Sequence, residues 1–243
     1  MNSKKVFVSI AGNIGSGKSS LTNLIAEEFN WKPYYEKVND NPYLKDFYSD
    51  MNRWSFNLQV YFLSHRFKTH KEIISKKTSV IQDRSIYEDV EIFARNLYLL
   101  KKMNKRDYDN YRKLFKEMTY FLQPPDLLIY LKASLPKLTK QIKIRGRDFE
   151  KNIDVSYLNK LNESYEEWIK NYKFGKCIII ETENMDFVNR KKDFEKIVNL
   201  INQILTVGKY TSTWKSDNYP SGVYFYKLSI GDFSETKKMI LQK

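Results

Sequence analysis

Short blocks of consecutive apolar residues alternate along the chain with longer stretches in which apolar side chains return every three or four positions. The blocks lie at Val6–Ala11, 33–36, 79–82, 127–131 and 177–180, and each reads as a buried strand. The longer stretches, at 18–29, 54–77, 86–101, 105–122, 155–173 and 189–205, have the period of helices packed by one face. Strands alternating with helices predict an α/β fold: a five-stranded parallel sheet flanked by helices. Ligands of such sheets gather beyond the carboxyl ends of the strands. Glu36, Asp83 and the glycine-rich turn after the first strand are therefore expected to converge. The pattern changes after Leu205, where the chain becomes turn-rich and aromatic, with GVYFYKL and KMIL as two short strands and IGDFSET as a turn between them. A body over 1–205 and a short C-terminal β appendage over 206–243 are expected.

The first strand runs into GNIGSGKS, Gly12 to Ser19, which fits G-x-x-x-x-G-K-[ST] at every fixed position and in the strand–turn–helix context that motif requires. In a P-loop of this kind Gly12, Asn13, Ile14, Gly15, Ser16 and Gly17 turn backbone N–H groups toward phosphate oxygens, and Ser20 continues the helix whose positive end faces them. Lys18 reaches the outer phosphates and Ser19 offers its hydroxyl to Mg²⁺. A P-loop NTPase fold binding ATP or GTP follows. NKRD (104–107) imitates a guanine-reading element, but no Asp stands three residues before any of the eight glycines. The switch of a GTPase is thus missing, and Asn104 reads as a helix cap.

What receives the phosphate must be read elsewhere. A hydroxyl acceptor needs a positioned base, and Glu36 at the end of the second strand is the candidate. Gln59 and Arg66 lie seven residues apart, on one face of a helix, and a Gln amide pairs with a base edge. Asp83 and Arg84 follow at a strand end, with Asp89 on the next helix.

In this order GNIGSGKS, YEKV, YSDMNRWSFNLQ, DRSIYED..IFA, RGRDFE and ENMDF resemble the deoxyribonucleoside kinases, most of all the bacterial deoxyadenosine/deoxyguanosine kinases, over roughly residues 4–205. The resemblance implies transfer of a phosphate from ATP, with Mg²⁺, to the 5′-hydroxyl of a deoxyribonucleoside in nucleotide salvage. It implies that Glu36 takes the hydroxyl proton, that Arg84 holds Glu36 and touches the moving phosphate, and that Lys18 completes the catalytic group. Asp83 would help hold Mg²⁺ beside Ser19. Gln59, Arg66 and Asp89 would read the base, Trp54 and Phe93 would line its slot, and Tyr48 and Glu150 would grip the sugar 3′-hydroxyl. Arg145 and Arg147 match a lid over the phosphates, and Asp186 and Phe187 belong to the loop around the donor adenine. A homodimer is implied as well. Where the family has Pro after its catalytic Glu, this chain has Lys37, a positive charge expected to lower the pKa of Glu36. A base edge with an exocyclic amine suits Arg66 and Asp89, so deoxyadenosine is expected first, then deoxyguanosine and deoxycytidine, with thymidine disfavoured.

Composition changes this picture little. The net charge of +13 suits polyanions, yet the lysines are scattered, as on a solvated surface. A nucleic-acid-binding or surface protein would leave Glu36, Gln59 and Asp89 without roles. A thymidylate-kinase-like reading would set the Glu150 carboxylate against an acceptor phosphate. One cysteine and two histidines exclude an internal disulfide and argue against a Cys/His metal site. No apolar run approaches the roughly 20 residues of a membrane span, and the P-loop lies so near the N-terminus that no secretory leader is expected. A cytoplasmic protein acting on a small molecule, without nucleic-acid or membrane partners, is the expectation. Against it stands the tail: SGVYFYKL and KKMILQK resemble the end of C-terminal sorting domains of Bacteroidetes-type secretion.

Overall fold

The structure, a computed structural model, describes residues 5–36, 41–147, 150, 153–206, 214, 219–230 and 233–242. The chain divides into two compact units, Met1–Leu205 and Thr206–Lys243.

In the first unit β1 (Phe7–Gly12) leads through the P-loop into α1 (Lys18–Phe29), and β2 (Lys32–Tyr34) follows. The chain then forms α2 (Leu44–Ser49), α3 (Met51–Ser75), β3 (Val80–Asp83), a π-helical turn (Asp89–Ala94), α4 (Arg95–Leu99) and α5 (Lys105–Thr119). The unit closes with β4 (Leu127–Lys132), α6 (Leu135–Arg145), α7 (Val155–Lys170), β5 (Lys176–Glu181) and α8 (Lys191–Thr206). The five strands are parallel in the order β2-β3-β1-β4-β5. Ile10 is in register with Asp83, the last residue of β3, and Gly12 with Leu131, so the P-loop springs from the central strand two residues beyond the end of β3 and one short of the end of β4.

Alternation along the strands supplies both faces. Val8, Ile10, Ile129 and Leu131 pack with Leu21 and Ile25 of α1 and Ile197 and Ile201 of α8. Ala11, Leu128 and Tyr130 belong to the second core, with Leu58 and Leu63 of α3 and Tyr165 and Trp168 of α7.

Five strands and their direction agree with expectation, while several boundaries move for identifiable reasons. The helix expected over 54–77 begins at Met51, because the Asp50 side chain accepts from Arg53 N and caps it there. The helix expected over 86–101 is interrupted by the π-helical turn at 89–94. β2 stops at Tyr34, so Tyr35 and Glu36 leave the sheet. The sequence pattern had assigned no helix to α2 or α6, although α6 has a Ser134 cap and Pro136 in its first turn. Asn104 does cap α5, accepting from Asp107 N. His70 is wholly buried, its Nε2 bonded to Gln123 O, whereas His65 is exposed.

In the second unit β6 (Gly222–Ile230) and β7 (Phe233–Leu241) form an antiparallel pair, with Phe225 opposite Lys238 and Ile230 opposite Phe233. The strands are longer than the pattern suggested. Ile230 and Phe233–Thr236, expected in a turn, are strand residues, while Gly231 and Asp232 lie outside the described ones.

Candidate active site

Gly15 (φ 84°) and Gly17 (φ 93°) take left-handed backbone that turns the loop after β1. A Cβ on Gly17 would stand 3.0 Å from Phe187 Cζ, so Phe187 packs directly against the loop. Gly17 begins α1 without a side-chain cap, which leaves first-turn N–H groups for an anion. Asn13 fastens the loop: Nδ2 donates to Leu158 O at 3.0 Å and to Asn162 Oδ1 at 2.7 Å, and Oδ1 accepts from Ile14 N. Ser16 is buried, whereas Ser20 is exposed on α1. Lys18 folds back, its Nζ donating to Gly12 O and Asn13 O, each at 2.9 Å. Burial, then the neighbouring Arg84 charge, lower its pKa to about 8. Ser19 Oγ donates to Asp83 Oδ2 at 2.5 Å, while Asp83 Oδ1 is buried without a hydrogen-bond partner.

Across the same cavity stands Glu36. An Arg66 Nη2 bonds to its Oε1, and Arg84 Nε lies 3.4 Å from Oε2. Arg66 Nε is also 2.7 Å from Asp89 Oδ2, so one guanidinium spans two carboxylates. Burial would raise the Glu36 pKa, but Arg66, Arg84 and Lys18 together pull it down to about 2. Asp89 goes the other way: burial, only partly opposed by Arg66, raises it to about 7. α3 presents Leu58, Gln59, Phe62 and Arg66 from one face, as spacings of three and four dictate. Gln59 is 3% exposed and its Oε1 has no partner, an orphaned acceptor on the cavity wall that a ligand edge would satisfy. The π-helical turn adds Asp89 and Phe93, with Arg84 Cζ 4.4 Å from the Phe93 ring. The cavity measures about 260 Å³, the scale of a small molecule rather than a polymer groove.

Its rim carries Tyr48, Arg145, Arg147 and Glu150. α6 ends on Gly146 at φ 67°, which frees the backbone between the two arginines. Both turn onto the buried Glu150: Arg145 Nε donates to Oε2 at 3.0 Å, and Arg147 Nη1 is 3.4 Å from Oε1. The Glu150 charge is therefore balanced, and it does not by itself repel an acceptor phosphate as the sequence reading held.

The residues expected from the sequence thus meet in one place, with exceptions. Trp54 is absent from the lining. It lies five residues before Gln59, about 140° around the helix, and packs 5.8 Å from Tyr43 with Arg53 over its ring. Asp186 shapes a turn, accepting from Asn189 N at 3.0 Å, and lines no part of this cavity. Lys37, and with it the argument about the missing proline, lies outside the described residues, as do Asp148 and Phe149. Phe62 and Tyr157 line the cavity unanticipated. The same spacing that singled out Gln59 and Arg66 also marks Phe62.

No three His, Cys, Asp or Glu side chains among the described residues converge as a metal cage. Mg²⁺ needs no cage, since it binds through one or two protein oxygens plus phosphates and water. Ser19 Oγ beside the orphaned Asp83 oxygen fits that demand.

Comparison with known proteins gives the family. Residues 8–206 match the family model for deoxynucleoside kinase. The chain is 39% identical over 204 residues to a deoxyadenosine/deoxycytidine kinase of Bacillus subtilis, covering 83% of this chain and 94% of that one. A deoxyguanosine kinase of the same organism is 36% identical over 207 residues, covering 82% and 97%. Among solved structures, deoxyadenosine kinase from M. mycoides with bound dATP superposes with a TM-score of 0.73 at 30% identity, over 81% of this chain and 99% of that one. The chain belongs to the deoxynucleoside kinase family.

Proposed function

We propose that the protein transfers the γ-phosphate of ATP to the 5′-hydroxyl of a deoxyribonucleoside. The observation that carries this reading is the single cavity shared by the P-loop residues Lys18 and Ser19, the ionised Glu36 and the Gln59–Arg66–Asp89 group. The names of its relatives support the substrate class.

The base lies against Gln59, Arg66 and Asp89, and the sugar against Tyr48 and Glu150, with its 5′-hydroxyl donating to Glu36. Lys18 leaves its two carbonyl partners for the phosphate oxygens. The hydroxyl oxygen bonds to the γ-phosphorus as the bond to the leaving ADP oxygen breaks, and the hydroxyl proton passes to Glu36. Arg84, Arg145 and Arg147 balance the charge spread over the moving group and keep water away. For the lid arginines to do so they must leave Glu150, which the sugar hydroxyl then engages. Mg²⁺, held by Ser19 and Asp83, supplies further compensating charge when bound.

An assay of the four deoxynucleosides with ATP tests this directly. Deoxyadenosine is expected to give the highest kcat/KM, with thymidine at least about tenfold lower because it lacks the exocyclic amine that Asp89 accepts from. Thymidine as the best substrate would remove Asp89 from base reading. No monophosphate formed from any of the four would sink the activity itself.

A homodimer in the cytoplasm, without nucleic-acid or membrane partners, belongs to the same reading. So does a division of labour in which residues 1–205 are the enzyme and the hairpin, for all its resemblance to sorting domains, does not direct export. A chain ended at Thr206 is expected to keep kcat/KM within about twofold, as a compact unit with its own core should. A collapse of activity on truncation, or abundant full-length protein outside cells, would contradict this.

A further inference from the structure

Glu88 is not itself among the residues that line the cavity, yet its side chain is wholly buried behind one of them, Arg84. A buried carboxylate is costly unless several donors surround it, and four converge here. Oε1 accepts from Ser85 N at 2.7 Å and Ser85 Oγ at 3.2 Å. Oε2 accepts from Tyr165 Oη at 2.7 Å and from Gly12 N, where the P-loop begins, at 3.4 Å. Tyr165, itself fully buried, uses the same hydroxyl to accept from Arg84 Nη1 at 2.9 Å.

Arg84 needs such support. It has a left-handed backbone, φ 68°, which a non-glycine residue keeps only where its surroundings over-determine it. Its N–H is tied to Ile10 O at 2.9 Å, its guanidinium lies over the Phe93 ring, and its Nε faces Glu36. Nη1 is held by Tyr165, whereas Glu88 is 3.7 Å away, beyond hydrogen-bond reach. Without the Tyr165 hydroxyl the guanidinium loses the contact that fixes its rotation. Without Glu88 the hydroxyl loses the acceptor that orients it.

We infer that Glu88 and Tyr165 are positioning residues for phosphate transfer. The pair aims Arg84 at Glu36 and the moving phosphate and, through Gly12, locks that aim to the frame of the P-loop. The inference rests on the kinase reading above. A displacement of about 1 Å at such a group costs as much as a hundredfold in rate, so the loss of one fixing contact should be visible in kcat.

The experiment is a kinase assay with ATP and deoxyadenosine on Tyr165→Phe and Glu88→Gln, each made in the wild type and in Arg84→Lys. Tyr165→Phe is expected to lower kcat about tenfold with both KM values within about twofold. Glu88→Gln should lower it by at least as much. In the Arg84→Lys background Tyr165→Phe should change kcat by less than about twofold, because the group it serves is gone. Unchanged kcat in Tyr165→Phe, a rise in KM alone, or the same tenfold loss repeated in the Arg84→Lys background would each overturn the inference. Should Glu88→Gln fail to fold, Tyr165→Phe decides. A wild type that phosphorylates no nucleoside would overturn the kinase reading and this inference with it.

Discussion

Glu36→Gln is expected to bind ATP and deoxyadenosine much as the wild type does and to turn them over about a thousandfold more slowly. Gln keeps the shape and one hydrogen-bond acceptor but cannot take a proton. The carboxylate it replaces would be an unusual base. With Arg66, Arg84 and Lys18 around it, Glu36 holds a pKa of about 2 and is ionised at neutral pH. So weak a base cannot strip a free alcohol. It can take the proton late, once the oxygen has begun to bond to phosphorus and its own affinity for the proton has fallen. That order suits a loose transition state, in which bond formation lags behind bond breaking. Single-turnover transfer, measured beside nucleoside binding by calorimetry, separates the two effects. Turnover within about threefold of wild type would remove Glu36 from the chemistry.

The same carboxylate should show in stability. Its folded pKa of about 2 lies below the ordinary 4.5, so its stabilisation is present above pH 4.5 and is lost as pH falls toward 2. Wild type and Glu36→Gln should therefore converge in melting temperature as the solution is acidified. Asp89 has the opposite sign: raised from 3.8 to about 7, its contribution is whole below pH 3.8 and fades as pH climbs to 7. The two carboxylates that share Arg66 thus act against each other across mildly acid pH, and the variant removes the Glu36 part together with that share of the Asp89 shift which the Glu36 charge causes.

Most of this site was legible in the sequence because its signals are local. A P-loop is contiguous, and Gln59 and Arg66 lie on one helix face, so period alone joins them. Asp83 and Arg84 sit at a strand end, where the architecture sends ligands. What escaped depends on three dimensions. The resemblance implied that Trp54 lines the slot, but helix rotation turns it toward Tyr43. The break in the helix after β3 has no glycine or proline to announce it, and the π-helical turn appears only in the hydrogen bonding. Glu88 and Tyr165 are 77 residues apart, and neither has a motif position that points at the other. The pairing of Glu150 with both lid arginines likewise joins side chains whose nearness the sequence shows but whose contact it does not.

Lys18→Met should abolish transfer to about the same degree, near a thousandfold, since one well-placed charge on the developing oxyanion accounts for two to three decades of rate. Its effect on the empty protein is different in kind. Lys18 is 7% exposed and folds onto two carbonyls, and burial lowers its pKa from 10.5 to about 8. At pH 7 the folded protein holds a charge that its surroundings disfavour. As pH rises from 8 toward 10.5 the folded protein sheds that proton before the unfolded chain does, so wild-type stability gains. Methionine has no proton to shed. Wild type should therefore gain on Lys18→Met in melting temperature between about pH 8 and pH 10, whichever is the more stable at pH 7. A difference that stays flat over that range would mean that the lysine is not desolvated in the empty site. ATP should remove the effect in the wild type, because phosphates raise the pKa of the lysine they engage. A pH-dependent gap that closes on adding ATP is the signature of Lys18 leaving its carbonyls for the nucleotide.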